Sequence, residues 1–500
     1  MVGKTMKFAM ILFLLEFISF SRTYERNETD NNNDETPVSR EKRHVISSPC
    51  SYPKIKCSRF ERYRRLDGTC NNLKTPIWGS SLSQTIRILP NHYDDGLNSP
   101  RTKGVGGLPL PSTRSVTNAV LSNEFNTPMK TIFTNLFQTY GQFLDHDLDF
   151  SPTIPGPDGK AIQCCTEELN ENFDVSAISG PCFPIEIPVN DPTLKPRRCM
   201  NVVRSMEVED PDLKCQSPVR EQKNTLTSYV DGSNVYGNND ERLNMIRLFK
   251  NGLMKVSKYK MLPPNPDGVC NKRTDADRCS LAGDPRADEH PGLTAYHTIF
   301  LRMHNRIAKQ LRRINPRWND ETLFQETRTI LAAILQHITY NEWLPLVVGT
   351  EATRKFRLKS DTNSRHQYNP NIDPRIINAF STAAFRYGHS SIPNMWTYGS
   401  KQFGIVDMFM RPFFIYDFKG RGLDLLVEGM LLDSSQDADK LFGDGVKNRL
   451  FETLLKAGMD LPAINTQRGR DHGLAPYNEY RKFCGLRPIR FDGSTPQVRH

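Results

Sequence analysis

From Met129 onward, apolar or aromatic side chains recur at Ile132, Phe133, Leu136, Phe137, Tyr140, Phe143 and Leu144, the spacing of one face of an α-helix. The run closes on Asp145-His146-Asp147-Leu148-Asp149-Phe150. A helix terminus with three carboxylates and an imidazole must therefore be placed among packed apolar groups, and a fold has to be built to accept it. Further helical patterns cover Leu293 to Leu311, Leu323 to Ile338, Ile376 to Tyr387, and Val446 to Ala457, the last stopped by Gly458. Strand alternation is scarce, and Gly104 to Pro111 and Ser151 to Gly159 read as surface loops. The expectation is one large, mainly α domain over about residues 44–500 with few short strands.

The N-terminal end reads differently. Lys4 and Lys7, the apolar run Phe8 to Phe20 broken by Glu16, and Ser21 predict a signal peptide over 1–21 and hence a secreted protein. Residues 22–43 are polar, hold the sequon Asn27-Glu28-Thr29 and end at Arg40-Glu41-Lys42-Arg43. They predict a disordered propeptide, the alternative being a solvated charge run that is never cut. No later stretch has the roughly 18 continuous apolar residues of a membrane span. All eleven cysteines lie beyond the dibasic site, which predicts a disulfide-stabilised fold. Cys57 with Cys70 and Cys270 with Cys279 are near enough in sequence to close small loops, and Cys164, Cys165, Cys182, Cys199 and Cys215 form a second cluster. The absence of CxxC and HExxH removes the common zinc readings. A net charge of +10 comes from basic residues interspersed with acidic ones, so nucleic acid is not an expected partner.

Gln142 and His146 are four residues apart and share a helix face. A neutral histidine can accept and return a proton near pH 7, and a glutamine beside it can hold a small polar ligand; taken singly, such a histidine is more often a satisfied core residue. In Thr227-Ser228-Tyr229-Val230-Asp231-Gly232-Ser233 the oxygens of Thr, Asp and Ser alternate. Ca²⁺ takes six to eight hard oxygens, and Asp147 could add another; a polar turn with capping hydroxyls is the alternative. Arg286 precedes Glu289 by three residues, which is also the spacing of an ordinary surface ion pair. Gly388 removes bulk beside His389 and would admit a flat ligand to the imidazole.

Taken in order, GQFLDHDLDF, LTSYVDGSNVYGN, AGDPRADEH followed by LTAYHTIFLRMHNR, AFRYGH, and NTQRGRDHGLAPYNEYRKFCGL resemble the signature blocks of the animal haem peroxidases, the superfamily of myeloperoxidase, thyroid peroxidase and peroxidasin. The resemblance runs from about Cys57 to Leu486 and implies a haem b cofactor and one Ca²⁺. On the matching positions it implies that His389 is the proximal iron ligand, oriented by Asn465, and that His146 is the distal acid/base with Arg286 and Gln142 beside it. It implies further that Asp145 and Glu289 form ester bonds to haem, that Arg386 pairs with a propionate, and that Asp147, Thr227, Tyr229, Asp231 and Ser233 hold calcium.

The implied reaction reduces hydrogen peroxide and oxidises a halide, thiocyanate or a phenol such as tyrosine, with extracellular matrix protein as a further partner. His290 stands where myeloperoxidase has a methionine bonded to haem, so two ester links are expected, and bromide, iodide, thiocyanate or phenols rather than chloride. Relatives continue past the Cys-Gly-Leu block, so the C-terminal part of the domain, with the usual disulfide partner of Cys484, is expected to be missing. The alternative readings are a truncated inactive isoform and a calcium-stabilised adhesion or matrix protein on the same scaffold.

Overall fold

A computed structural model describes residues 55–490 except 59, 105, 122–131, 209–218, 359–367 and 454–455. The expected signal peptide and propeptide, Cys50 and Cys215 lie outside the described residues. The architecture is mainly helical, as expected. Its principal helices are α1 (Thr113–Val120), α2 (Asn135–Leu148), α3 (Pro291–Ile314), α4 (Asp320–His337), α5 (Gly422–Leu432) and α6 (Leu461–Asp471). The described strands form two antiparallel pairs: β1 (Ile185–Glu186) with β2 (Cys199–Met200), and β3 (Met395–Tyr398) with β4 (Lys401–Gly404).

The centre is α2 packed on α3. Phe143 of α2 stacks on Tyr296 and Phe300 of α3 with ring centroids 5.4 and 5.1 Å apart, and Trp343 closes the other side, its indole N–H donating to the carbonyl of Phe137. α5 covers both helices. Burial of such aromatic rings is a principal source of folding free energy, at roughly 25 cal/mol per Å² of apolar surface. A smaller apolar cluster of Ile185, Ile187, Leu194, Met200, Val202 and Ala463 joins β1 and β2 to α6. Beside it Arg114 of α1, wholly buried, pairs with Asp191 at 2.7 Å and Asp460 at 2.6 Å, which fastens α1 to the start of α6. Among the described residues four disulfides, Cys57–Cys70, Cys164–Cys182, Cys165–Cys199 and Cys270–Cys279, include both of the small loops expected from sequence.

Three helical expectations need correction. The periodicity that starts at Met129 becomes helix only at Asn135, because the Thr134 hydroxyl caps the Phe137 N–H; Ile132 is 90% exposed and belongs to the approach. Ile376 to Tyr387 breaks at Ala383 into Asn378–Thr382 and a 3-10 turn, Ala384–His389. Of the described residues between Val446 and Ala457, only Val446 and Lys447 are helical, at the end of Asp444–Lys447. Leu450 instead exchanges two backbone bonds with Met459, each 3.1 Å, and Gly458 is needed there because a Cβ would come within 2.5 Å of the Arg449 Cα. Val446 and Leu450 are buried, but a two-residue bridge takes the place of a helix turn. No helix among the described residues is long and apolar enough to cross a membrane.

Candidate functional site

The C-terminal turn of α2 delivers His146 and Asp147 to the interior, with Asp149 buried just beyond it, while the Asp145 side chain stays partly exposed. His146 is 3% exposed and its Nδ1 has no hydrogen-bond partner. Its nearest carboxylates are Asp284 at 3.9 Å from Nδ1 and Glu289 at 3.9 Å from Nε2. Burial, then the Arg286 charge, holds the imidazole well below its ordinary pKa, so it is a neutral base at pH 7.

Arg286 lies on the 3-10 turn Pro285–Asp288. Its expected neighbour by spacing was Glu289; its actual partner is Asp284, which takes Nε and Nη2 at 2.9 and 2.8 Å and also caps the turn through the Arg286 N–H. Arg286 Nη1 donates to the backbone carbonyl of Asp149 at 3.2 Å, and its guanidinium lies 4.4 Å over the Phe150 ring. The side chain is therefore fixed on three sides, facing Asp145 at 3.8 Å. Burial raises the pKa of Asp284, yet Arg286 and then His146 outweigh it and hold it at about 2.

Gln142 donates from Nε2 to Glu289 Oε2 at 3.0 Å, and its Oε1 meets His290 Nε2 at 2.9 Å. His290 lies edge-on to Trp396, so it orients Gln142. Burial pushes Glu289 up to about 7 and raises Asp145 as well. Asp149 is likewise pushed to about 7, first by burial and then by the Asp145 charge, and its Oδ1 has no partner.

Facing α2 is the Ala384–His389 turn. His389 Nδ1 pairs with the Asn465 side-chain amide of α6 at 2.7 Å, which leaves Nε2 as the outward nitrogen. Arg386 donates from Nε to the Ser381 carbonyl at 2.9 Å, and its charge acts on both Asp145 and Asp149. A Cβ at Gly388 would meet nothing nearer than Ser391 Oγ at 4.0 Å. The chemistry of this set fits haem: a braced imidazole on one side, an imidazole with an orphaned nitrogen on the other, two acids whose pKa burial raises, an arginine for a propionate, and room at Gly388.

The expected calcium residues come together with one qualification. Ser233 Oγ donates to Asp147 Oδ1 at 2.9 Å, Gly232 N–H to Asp147 Oδ2 at 3.1 Å, and Thr227 Oγ1 to Asp231 Oδ2 at 3.0 Å. Tyr229 instead points its hydroxyl at the Trp78 carbonyl, 2.7 Å away, so only its backbone oxygen can join the set. Burial, then the charge of Asp231, pushes Asp147 to about 7; burial pushes Asp231 to about 6. Among the described residues neither buried carboxyl forms an ion pair with a lysine or arginine, the charges of Arg328 and Arg64 acting on Asp231 without contact, and the pair fits a divalent ion.

This loop also braces the distal groups. Asn234 donates to the Phe143 carbonyl of α2 at 2.7 Å and accepts the Asp284 N–H at 2.9 Å. The approach requires Gly283, where a Cβ would fall 2.5 Å from the Gly237 nitrogen. Sequence reasoning missed Asp284 and Asp149. Both stand inside the motifs that drew attention, Asp284 two residues before Arg286 and Asp149 three after His146, but neither spacing by itself shows what they touch.

The animal haem peroxidase family model matches residues 63–495. The chain is 38% identical over 468 residues to lactoperoxidase of Mesocricetus auratus, a match covering 87% of this chain and 63% of that protein. It is 36% identical over 461 residues to peroxidasin of Drosophila melanogaster, covering 85% and 29%, and so spans less than two thirds of the length of either. Among solved structures it is similar to peroxidase A from Dictyostelium discoideum, with a TM-score of 0.67 and 28% identity over 86% of this chain and 80% of that one.

Proposed function

The chain belongs to the animal haem peroxidase family, and on that premise we propose that it is a secreted peroxidase which reduces hydrogen peroxide and oxidises bromide, iodide, thiocyanate or a phenol, including tyrosine side chains of extracellular matrix protein. The observation that carries this reading is the buried, neutral His146 beside an arginine that Asp284 fixes through two bonds.

Haem, when bound, supplies the iron at which the peroxide O–O bond breaks. His389 would hold it from one side, with Asn465 keeping the ring oriented, and Arg386 would meet a propionate. Asp145 and Glu289 would form the ester links. From the other side His146 takes the proton of the incoming peroxide and returns it to the departing oxygen, which needs a base that is uncharged at rest. Arg286 stabilises the charge that develops on that oxygen, a contribution of several kcal/mol where bulk water is excluded. Gln142, held by Glu289 and His290, orients the small polar reactant. Calcium on Asp147, Thr227, Ser233, Asp231 and the Tyr229 carbonyl would fix the end of α2, and through Asn234 the Arg286 turn, without touching substrate.

The test is expression through a secretory pathway with haem supplied, followed by the Soret band and peroxide-dependent oxidation of iodide and guaiacol. His146→Ala is expected to keep the Soret band and lose activity by about 10²-fold or more, the usual worth of a positioned acid/base; retained activity would overturn the assignment.

A further inference from the structure

One buried carboxyl takes no part in this chemistry. Asp288, 5% exposed, ends the Pro285–Asp288 turn; Oδ2 accepts the Ser280 N–H at 2.6 Å and Oδ1 the Thr294 hydroxyl at 3.4 Å. No arginine or lysine among the described residues offsets its burial, which pushes it up to about 7. It therefore carries a proton through much of the neutral range. Beside it is a disulfide: one Asp288 oxygen and the two sulfurs of Cys270–Cys279 all lie within 4.8 Å of one another. The two sulfurs differ, Cys279 being 1% exposed and Cys270 half-buried. An incoming thiolate can thus reach Cys270, and the sulfur that must then leave, buried Cys279, lies within 4.8 Å of an Asp288 oxygen, as Cys270 does. A thiolate released into apolar surroundings is a poor leaving group, and a nearby proton donor removes that obstacle.

We propose that Cys270–Cys279 is an exchange-active disulfide, opened by a low-molecular-weight or protein thiol, with Asp288 as the acid that protonates the departing Cys279 sulfur. A thiolate RS⁻ bonds to Cys270 Sγ, the Cys270–Cys279 bond breaks, and its electron pair goes to Cys279 Sγ, which takes the Asp288 proton. A second thiol returns a proton to the Asp288 carboxylate and attacks the mixed disulfide, releasing RSSR and Cys270 as a thiolate that is protonated from solvent. In sum two thiols are oxidised to one disulfide and the bridge is reduced to two thiols. The Ser280 N–H is in place to receive the transient carboxylate. The groups facing this pocket from its neighbours are Tyr416, bonded to Ser280 Oγ at 2.8 Å and pushed above the phenol range first by burial, and Arg278, 5.4 Å from the Tyr416 ring and a fixed cation. Asp288 is therefore the group expected to titrate there between pH 6 and 8.5.

The folded full chain is incubated with glutathione across that range, quenched by alkylation, and each bridge is followed by peptide mass spectrometry. Cys57–Cys70 is the internal control: both its cysteines are half-buried, and no such carboxyl is grouped with them among the described residues. Per unit thiolate, Cys270–Cys279 is expected to open about tenfold or more faster than the control. The ratio should fall as pH rises through 7, and Asp288→Asn should abolish both the advantage and its pH dependence while the control rate stays put. Equal opening rates, a ratio that is flat with pH in the unaltered chain, or an undiminished advantage in Asp288→Asn would each overturn the proposal; if the variant does not fold, the pH ratio of the unaltered chain decides.

Discussion

Replacing Asp284 by Asn removes the charge and one of the two acceptors that hold the guanidinium, while the amide oxygen can still cap the Arg286 N–H. What remains is a guanidinium, 14% exposed, whose next carboxylate is Asp145 at 3.8 Å. The size of the effect follows from linkage: a carboxyl whose pKa falls from 3.8 to about 2 on folding contributes about 2.4 kcal/mol at pH 7, at 1.36 kcal/mol per unit. Stranding one partner of a buried pair typically costs about 3–5 kcal/mol. Asp284→Asn is therefore expected to lose about 2.5–5 kcal/mol in equilibrium urea unfolding at pH 7 with calcium present. The sign is fixed because the folded pKa lies below the unfolded one. The contribution is complete above about pH 4 and fades as pH falls through 2, so the gap between wild type and variant should narrow over that window. A loss below about 1 kcal/mol at pH 7, or a gap that stays constant down to pH 2.5, would refute the view that this ion pair is what fixes Arg286.

Three further outcomes follow from the same geometry. Asp147 and Asp231 have folded pKa values raised to about 7 and about 6, so their contribution is present below pH 4 and lost as pH rises. In EDTA the melting temperature should drop between about pH 4 and 7, and millimolar Ca²⁺ should flatten the profile; identical profiles would remove the calcium assignment. Gly388→Ala should leave the haem-free chain about as stable as wild type, because a Cβ there meets nothing nearer than Ser391 Oγ at 4.0 Å, yet reduce haem uptake as read by the Soret band. Asn465→Ala frees His389 Nδ1 and should weaken haem retention about 10–100-fold, measured by transfer to a haem-scavenging globin; unaltered retention would show that Asn465 does not brace the ligand.

Much of this protein could be read before any coordinate. Period-3.6 patterning gave the central helix pair, because α2 and α3 bury whole faces and such faces must repeat with the helix. The short-range disulfides were legible for a similar reason, since nearby cysteines need little chain to meet. The site motifs were also visible as residue types, and the family resemblance assigned them expected roles. Periodicity failed where burial came without helix: the Leu450–Met459 bridge and the break at Ala383 satisfy the same apolar pattern by other backbone routes.

What tertiary structure decided was partnership. Arg286 could have paired with Glu289 by spacing, but Asp284 holds it, because the Gly283 backbone lies against the Ser233–Tyr236 turn and thereby sets that carboxylate under the guanidinium. Asp288 beside the Cys270–Cys279 sulfurs is of the same kind. Sequence determines which groups a chain must bury, through the large, non-directional cost of leaving apolar surface in water. Which polar groups are buried together depends on distances of a few ångströms between segments remote in the chain, and only the packed fold fixes those.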